Sequence, residues 1–328
     1  MHVRAGRALG SPLRLLVAAG DDGPAVDEAW SEVLRAFEDV NRAMSRYRVD
    51  SELTRLNRMR GRPARISPLL LAALTMAERA RRITAGRFDP RVVVDLERLG
   101  FAAEPQAWSG RPPGDEPVIR RAPDGCVALS GPVDLGGLGK GIALRLARRA
   151  AARRLAGTGF LIDAGGDIVT LGRPDTTDPA SRWSIALEDE SGGSVPIATC
   201  ELPEAWAIAT SSTRLGRRVD ESGRVIHHLL DPRTREPGGG TLIAVTVAFP
   251  DPAWAEVWTK DLFLEGPQGI GPRARARGLA AWWLDADAGL SMTPAARQLT
   301  TWVRSETELS PRAASAAFPL PSRSPARG

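Results

Sequence analysis

The chain has 328 residues, enough to bury a sizeable core as one large domain or as two that share it. Its net charge is +5 and its pI about 10.1, yet the basic residues are scattered, often beside acids, and no basic block interleaves with aromatics; this fits a solvated surface and argues against nucleic acid. No window reaches transmembrane length, and Cys126 and Cys200 lack any CxxC or Cys/His spacing, so membrane insertion, zinc and dithiol chemistry drop out and a reducing, cytoplasmic setting is expected.

In chain order, Leu13 to Ala18 predicts a first strand, followed by a turn at Asp21-Asp22-Gly23. From about Pro24 a helix is expected, because Trp30, Val33, Leu34, Phe37, Val40 and Met44 recur at helical spacing and form an apolar, core-facing stripe. The segment after it holds Tyr47, the only tyrosine in the chain. Such a ring either caps the core or stacks on a planar ligand. Ser67-Pro68 opens a second helix with an N-cap and an N1 proline in their preferred places, running to about Ile83. Thr84 to Pro90 is a loop containing Arg87, Phe88 and Asp89, the last of which suits a turn before proline. Residues 102–125 read as loop with one strand, and Val127 to Val133 as a strand.

That strand leads into Val133-Asp134-Leu135-Gly136-Gly137-Leu138-Gly139-Lys140-Gly141, and a helical pattern follows at Ile142, Leu146 and Ala150. Glycines permit a sharp turn or close approach to the main chain, and the first amides of a helix attract anions such as phosphate. All but two of the 44 basic residues are arginine; the lysines are Lys140 and Lys260. A lysine kept against such a bias points to a role for a compact, rotatable charge that a planar guanidinium does not fill.

Downstream, Phe160 to Ile168 is a strand bending at Gly165-Gly166, and short strands are expected at Trp183–Leu187, Val195–Cys200 and Trp206–Ala209. Val225 to Pro232 carries His227 and His228, two of the three histidines, which in a strand point to opposite faces. Leu242 to Phe249 is a β-branched strand, Asp251-Pro252 starts a helix reaching Gly266, and Ala280 to Leu284 is a last buried strand. On the Asp251 helix, Glu256 and Lys260 lie one turn apart, and as a plain surface ion pair they would contribute about 0.3–0.5 kcal/mol. Strands and helices mix without strict βαβ alternation, so the expected class is α+β, with mixed or antiparallel sheets and packed helices. Residues 1–305 are expected to form the folded domain and 306–328 a disordered Ser/Pro/Arg-rich tail.

Seven segments, in order, resemble the ApbE-like FAD:protein FMN transferases: MSRYRVDSELTRLN at 44–57, TAGRFDP at 84–90, VDLGGLGKG at 133–141, IDAGGDI at 162–168, AIATSS at 207–212, HLLDPRT at 228–234, and VTV with its following helix at 245–266. The resemblance implies an ApbE-like fold and a transferase that cleaves the pyrophosphate of FAD with Mg²⁺. FMN passes to a Thr or Ser hydroxyl of a target flavoprotein carrying a Thr-containing motif, and AMP leaves. It further implies that Tyr47, Arg87, Phe88, Asp89, Asp134, Lys140 and Leu229 line the FAD site, that His228 is the base with Asp231 orienting it, and that Gly137, Glu256 and Lys260 occupy the metal-ligand positions. There the family usually carries Asp and Thr. Lysine is not a ligand while protonated, and Thr259 would face another side of the helix. Either the Lys260 ammonium stands where a cation would, or Glu256 and Lys260 pair and the site is inactive. Milder departures are Ser212 in place of a glycine and Leu9-Gly10-Ser11 in place of a Met-Gly-Thr element. FAD binding without transfer, and hydrolysis of FAD by water, are the alternative functions.

Overall fold

The computed structural model describes residues 1–18, 23–101, 114–214, 216–219, 223 and 225–305. The tail at 306–328, most of the turn at Asp21-Asp22-Gly23 and the first part of the 102–125 loop lie outside them.

The frame is an eight-stranded sheet in the order His2–Ala8, Ser11–Val17, Phe160–Ala164, Asp167–Leu171, Ala207–Ser212, Leu242–Phe249, Ala280–Asp285, Gly289–Met292. Each neighbouring pair in it is antiparallel. Eight helices punctuate the described chain: α1 Gly23–Met44, α2 Glu52–Arg58, α3 Pro68–Ile83, α4 Val93–Arg98, α5 Gly139–Arg154, α6 Pro252–Phe263, α7 Ile270–Ala276 and α8 Pro294–Leu299. With antiparallel sheets and packed helices, the chain is α+β.

The two-residue period of the strands sorts side chains into two cores. Leu13, Leu15, Val17, Phe160, Ile162 and Val169 join the buried faces of α1, α3 and α5. Their neighbours Leu161 and Ile208 face the other way. On that side they meet a second, three-stranded sheet, in which Ala198–Leu202 is flanked by Trp183–Leu187 and Thr300–Val303. A third cluster packs α6 and α7 on Val245, Val247 and Ala281.

The N-caps start the helices where local chemistry dictates. Ser67 Oγ accepts the amide of Leu70 and Asp251 Oδ1 that of Trp254, each before a proline at the first turn. α1 buries Val33, Phe37, Val40 and Met44 as expected, but Leu34 is exposed. The expected Val127–Val133 strand is confined to Val127–Leu129. The strands expected at Val195–Cys200 and Trp206–Ala209 lie at Ala198–Leu202 and Ala207–Ser212.

Residues 136–138 turn into α5 as expected, with the amides of Leu138 and Gly139 on the Leu135 carbonyl, but the turn uses no left-handed glycine. None of Gly136, Gly137, Gly139 or Gly141 has a positive φ. A Cβ on Gly141 would lie 2.5 Å from Ala253 Cα, so its bareness lets α5 start directly against α6. Gly165 (φ 68°) and Gly166 (φ 90°) are left-handed and form the two-residue turn between Phe160–Ala164 and Asp167–Leu171.

Candidate functional site

A cleft of about 770 Å³ lies between the start of α5, the Glu256–Lys260–Phe263 face of α6, the three-stranded sheet and the loops after α1 and α3. Among the expected site residues, Tyr47, Arg87, Phe88, Asp89, Asp134, Gly137, Lys140, His228, Leu229, Glu256 and Lys260 all line it. Asp231 does not.

Both lysines of the chain stand in this cleft. The Lys140 ammonium pairs with Asp167 Oδ2, and Asp167 Oδ1 accepts the amide of Thr210 at 3.1 Å. Lys260 Nζ lies 3.6 Å from Glu256 Oε1 and donates to the Glu256 carbonyl at 3.2 Å. Glu256 Oε2 accepts the amide of Gly141 at 2.9 Å. That amide at the start of α5 is therefore engaged by protein, not open to an anion. Burial lowers the Lys140 pKa, but the carboxylates of Asp167, Glu256 and Asp163 outweigh it and hold the group above the ordinary lysine range. Burial raises the Glu256 pKa and lowers that of Lys260, each opposed by the charge of the other. Thr259 points away, as its place on the helix requires, and shares a buried hydrogen bond of 2.7 Å with Ser211.

The rim is built by the segment after α1. Arg46 Nε lies 2.8 Å from Asp134 Oδ2, and Asp134 Oδ1 accepts the amide of Gly136 at 2.7 Å. Arg46 Nη2 also donates to Tyr47 Oη at 2.7 Å, and the guanidinium sits 4.3 Å from the Tyr47 ring centroid. The residue is 64% exposed, so it is a surface platform, not a cap on the core. Ser51 Oγ fixes this segment by donating to the Ser45 carbonyl and accepting the Thr54 amide that opens α2.

In the loop after α3, Arg87 Nη2 lies 2.5 Å from Glu265 Oε2. Burial and the nearby Arg273 charge lower the Arg87 pKa. Asp89 gives its carboxylate to Arg91, so what it offers the cleft is main chain. The Phe88 ring and the Lys260 stem both press on Gly137, where a Cβ would come within 3.2 Å of the ring and 3.0 Å of Lys260 Cε.

The histidines separate, although neither lies in a strand: the strands here are Val225–Ile226 and Leu230–Asp231. His228 is exposed, lines the cleft and meets Phe101 edge-on at 6.4 Å. His227 is buried against Phe263. Asp231, expected to orient His228, accepts from the amide, Nε and Nη2 of Arg233. Pro232 closes a tight turn that brings Arg233 back onto the carboxylate.

The model of the ApbE family matches residues 9–283. The chain belongs to the ApbE family. It is 30% identical over 234 residues to a FAD:protein FMN transferase of Vibrio cholerae, covering 66% of this chain and 67% of that one. It is 26% identical over 282 residues to one of Klebsiella pneumoniae, covering 79% of each. In fold it is similar to the ApbE protein of Thermotoga maritima, with a TM-score of 0.78 at 21% identity over 91% of this chain and 98% of that one. The flavin transferase ApbE of Vibrio cholerae superposes with a TM-score of 0.71 at 22% identity over 91% and 98%.

The magnesium that ApbE resemblance implies does not fit the residues present. The expected positions offer the Gly137 main chain, one carboxylate and one ammonium. Glu256 has one oxygen on the Gly141 amide and the other facing Lys260, and an ammonium at that place repels a dication. Among the described residues no group of three or more His, Cys, Asp and Glu side chains gathers in metal-binding geometry.

Sequence reasoning did not single out Arg46 or Asp167. Arg46 is one arginine among many, and nothing in its spacing marks its bond to Asp134 across the fold. Asp167 had a signal in following Gly165-Gly166 inside the IDAGGDI segment; in the structure it is a buried acid, which calls for a cation.

Proposed function

We propose that this ApbE-family chain is a FAD:protein FMN transferase, moving FMN from FAD onto a threonine or serine hydroxyl of an acceptor flavoprotein and releasing AMP. The observation that supports this most is the convergence of the aromatic platform at Tyr47, the two lysines and His228 on one cleft large enough for a dinucleotide. FAD needs a surface for its ring, cations for its diphosphate and, for transfer, a base beside the phosphorus.

In this reading Tyr47, stiffened by Arg46, takes a planar ring of the nucleotide. Asp134, held by Arg46 and the Gly136 amide, accepts hydrogen bonds from it. Lys140 and Lys260 face the diphosphate. The acceptor oxygen forms a bond to the FMN phosphorus as the bond to the bridging oxygen breaks. AMP departs with that electron pair, and His228 takes the hydroxyl proton. Arg233 holds the Asp231 carboxylate, and the edge of Phe101 packs against His228.

The test is to incubate the purified chain with FAD and a threonine-bearing peptide of an acceptor flavoprotein, then quantify AMP and peptide-bound flavin. Equal amounts of both support transfer. AMP with free FMN and no adduct identifies hydrolysis, and bound FAD without AMP identifies a binding protein.

A further inference from the structure

In an arginine-rich chain the two lysines are both in the cleft, and they are arranged alike. Each ammonium stands in front of a carboxylate that is more deeply buried than itself. The Lys140 side chain is 29% exposed against 4% for Asp167, and that of Lys260 is 20% exposed against 5% for Glu256. A ligand entering the cleft meets the cations first. The two pairs also form one unit, since Glu256 acts on Lys140 and Asp167 acts on Lys260.

The space around Lys260 suits its compact head. Its stem runs over Gly137, where even a methyl group would come within 3.0 Å of Cε. Glu256 is fixed from behind by the Gly141 amide, and Gly141 packs too tightly on Ala253 to carry a side chain. The ammonium is therefore held on a rigid base formed by the first turn of α5 and the middle of α6. A planar guanidinium is larger and needs a fork of acceptors that this place does not supply.

We propose that the Lys260 ammonium, backed by Glu256, takes the place of a divalent cation in this chain, so that the charge of a bound diphosphate is met by Lys260 and Lys140 and FAD is held and cleaved without metal. The inference rests on the reading of the cleft as a FAD site. A preorganised ammonium neutralises charge at phosphorus as a metal does, but it brings no coordination geometry and no chelator removes it.

The experiment uses the full chain stripped with EDTA. FAD binding is followed by flavin fluorescence, and AMP release with acceptor peptide by chromatography, each in EDTA and in millimolar Mg²⁺. Calorimetry with Mg²⁺ alone adds a readout that does not depend on turnover. The expected results are FAD affinities and AMP release rates equal within twofold in the two buffers, and no heat of Mg²⁺ binding to the free chain. Lys260→Thr should weaken FAD binding in EDTA by tenfold or more and recover in part with Mg²⁺, while Lys260→Arg should not restore it.

The proposal is overturned if the unmodified chain binds or cleaves FAD only with Mg²⁺, if the free chain binds Mg²⁺ tightly, or if folded Lys260→Thr keeps full affinity in EDTA. Failure to bind FAD in either buffer overturns the reading of the cleft itself, and the inference with it. The comparison on the unmodified chain stands even if the variants do not fold.

Discussion

Gly141 donates its amide to Glu256 across 2.9 Å, and this bond joins the first turn of α5 to the middle of α6. Through it the helix that carries Lys140 and the helix that carries Lys260 share one buried carboxylate. Removing that carboxylate leaves the Gly141 amide without its partner and a partly buried ammonium with only the residue-256 carbonyl. Glu256→Ala is expected to cost about 1–3 kcal/mol. Glu256→Gln keeps an acceptor for the amide and is expected to cost less. Urea unfolding of the two variants checks the order, and equal stabilities would contradict it.

Gly141→Ala probes the same junction through sterics. The added methyl would lie 2.5 Å from Ala253 Cα and 2.6 Å from the Pro252 carbonyl oxygen, both main-chain atoms that do not swing aside. Overpacking of this kind costs about 1–3 kcal/mol. Gly136, whose nearest neighbour is the Asp134 side chain at 3.0 Å, is expected to tolerate alanine better. Thermal unfolding of the two variants measures the difference.

Tyr47→Ala separates binding from folding. With the residue 64% exposed, loss of its ring should change stability by no more than about 0.5 kcal/mol. A ring that stacks on the nucleotide is worth about 1 kcal/mol, so FAD affinity should fall several-fold to about tenfold. Flavin fluorescence titration checks this. Unchanged affinity would mean that the nucleotide does not use the platform.

The two adjacent histidines should behave oppositely. His228→Ala should lower AMP release and adduct formation by about 10²–10⁴-fold while FAD still binds, as for loss of a general base. His227 should show itself in stability. Burial, with lesser contributions from His228 and Arg217, lowers its pKa from the ordinary 6.5 to about 4. As pH falls through that window the unfolded chain takes up the proton first, so stability drops; above 6.5 the group has no effect. Between pH 7 and pH 5 the His227 contribution is a loss of about 2 kcal/mol. His227→Gln should remove that part of the acid sensitivity, seen as a smaller difference between urea midpoints at the two pH values.

What was legible in the sequence follows from how local each signal is. α3 and α6 were readable from Ser67-Pro68 and Asp251-Pro252, because an N-cap and the proline after it act within one turn. Leu242–Phe249 was readable from its β-branched run. The strand His2–Ala8 was not, since as a sheet edge it keeps most of its side chains in water and shows no apolar run. Gly289–Met292 and Thr300–Val303 were also missed: each has four residues at the edge of its sheet, fixed by pairing with strands far away or across a turn. At the site, lysine rarity pointed to Lys140 and Lys260. Their partners Asp167 and Glu256 differ in legibility, because Glu256 is one helical turn from Lys260 whereas Asp167 meets Lys140 only through the fold. The Arg46–Asp134 pair is non-local for the same reason.

The most direct measurement is the intact mass of a threonine-bearing acceptor peptide after incubation with this chain and FAD, beside the same peptide with alanine at that threonine. The expected result is a gain of one FMN phosphoester on the threonine peptide alone, lost in His228→Ala. An unmodified threonine peptide, under conditions where the chain demonstrably binds FAD, would contradict transfer as the function of this cleft.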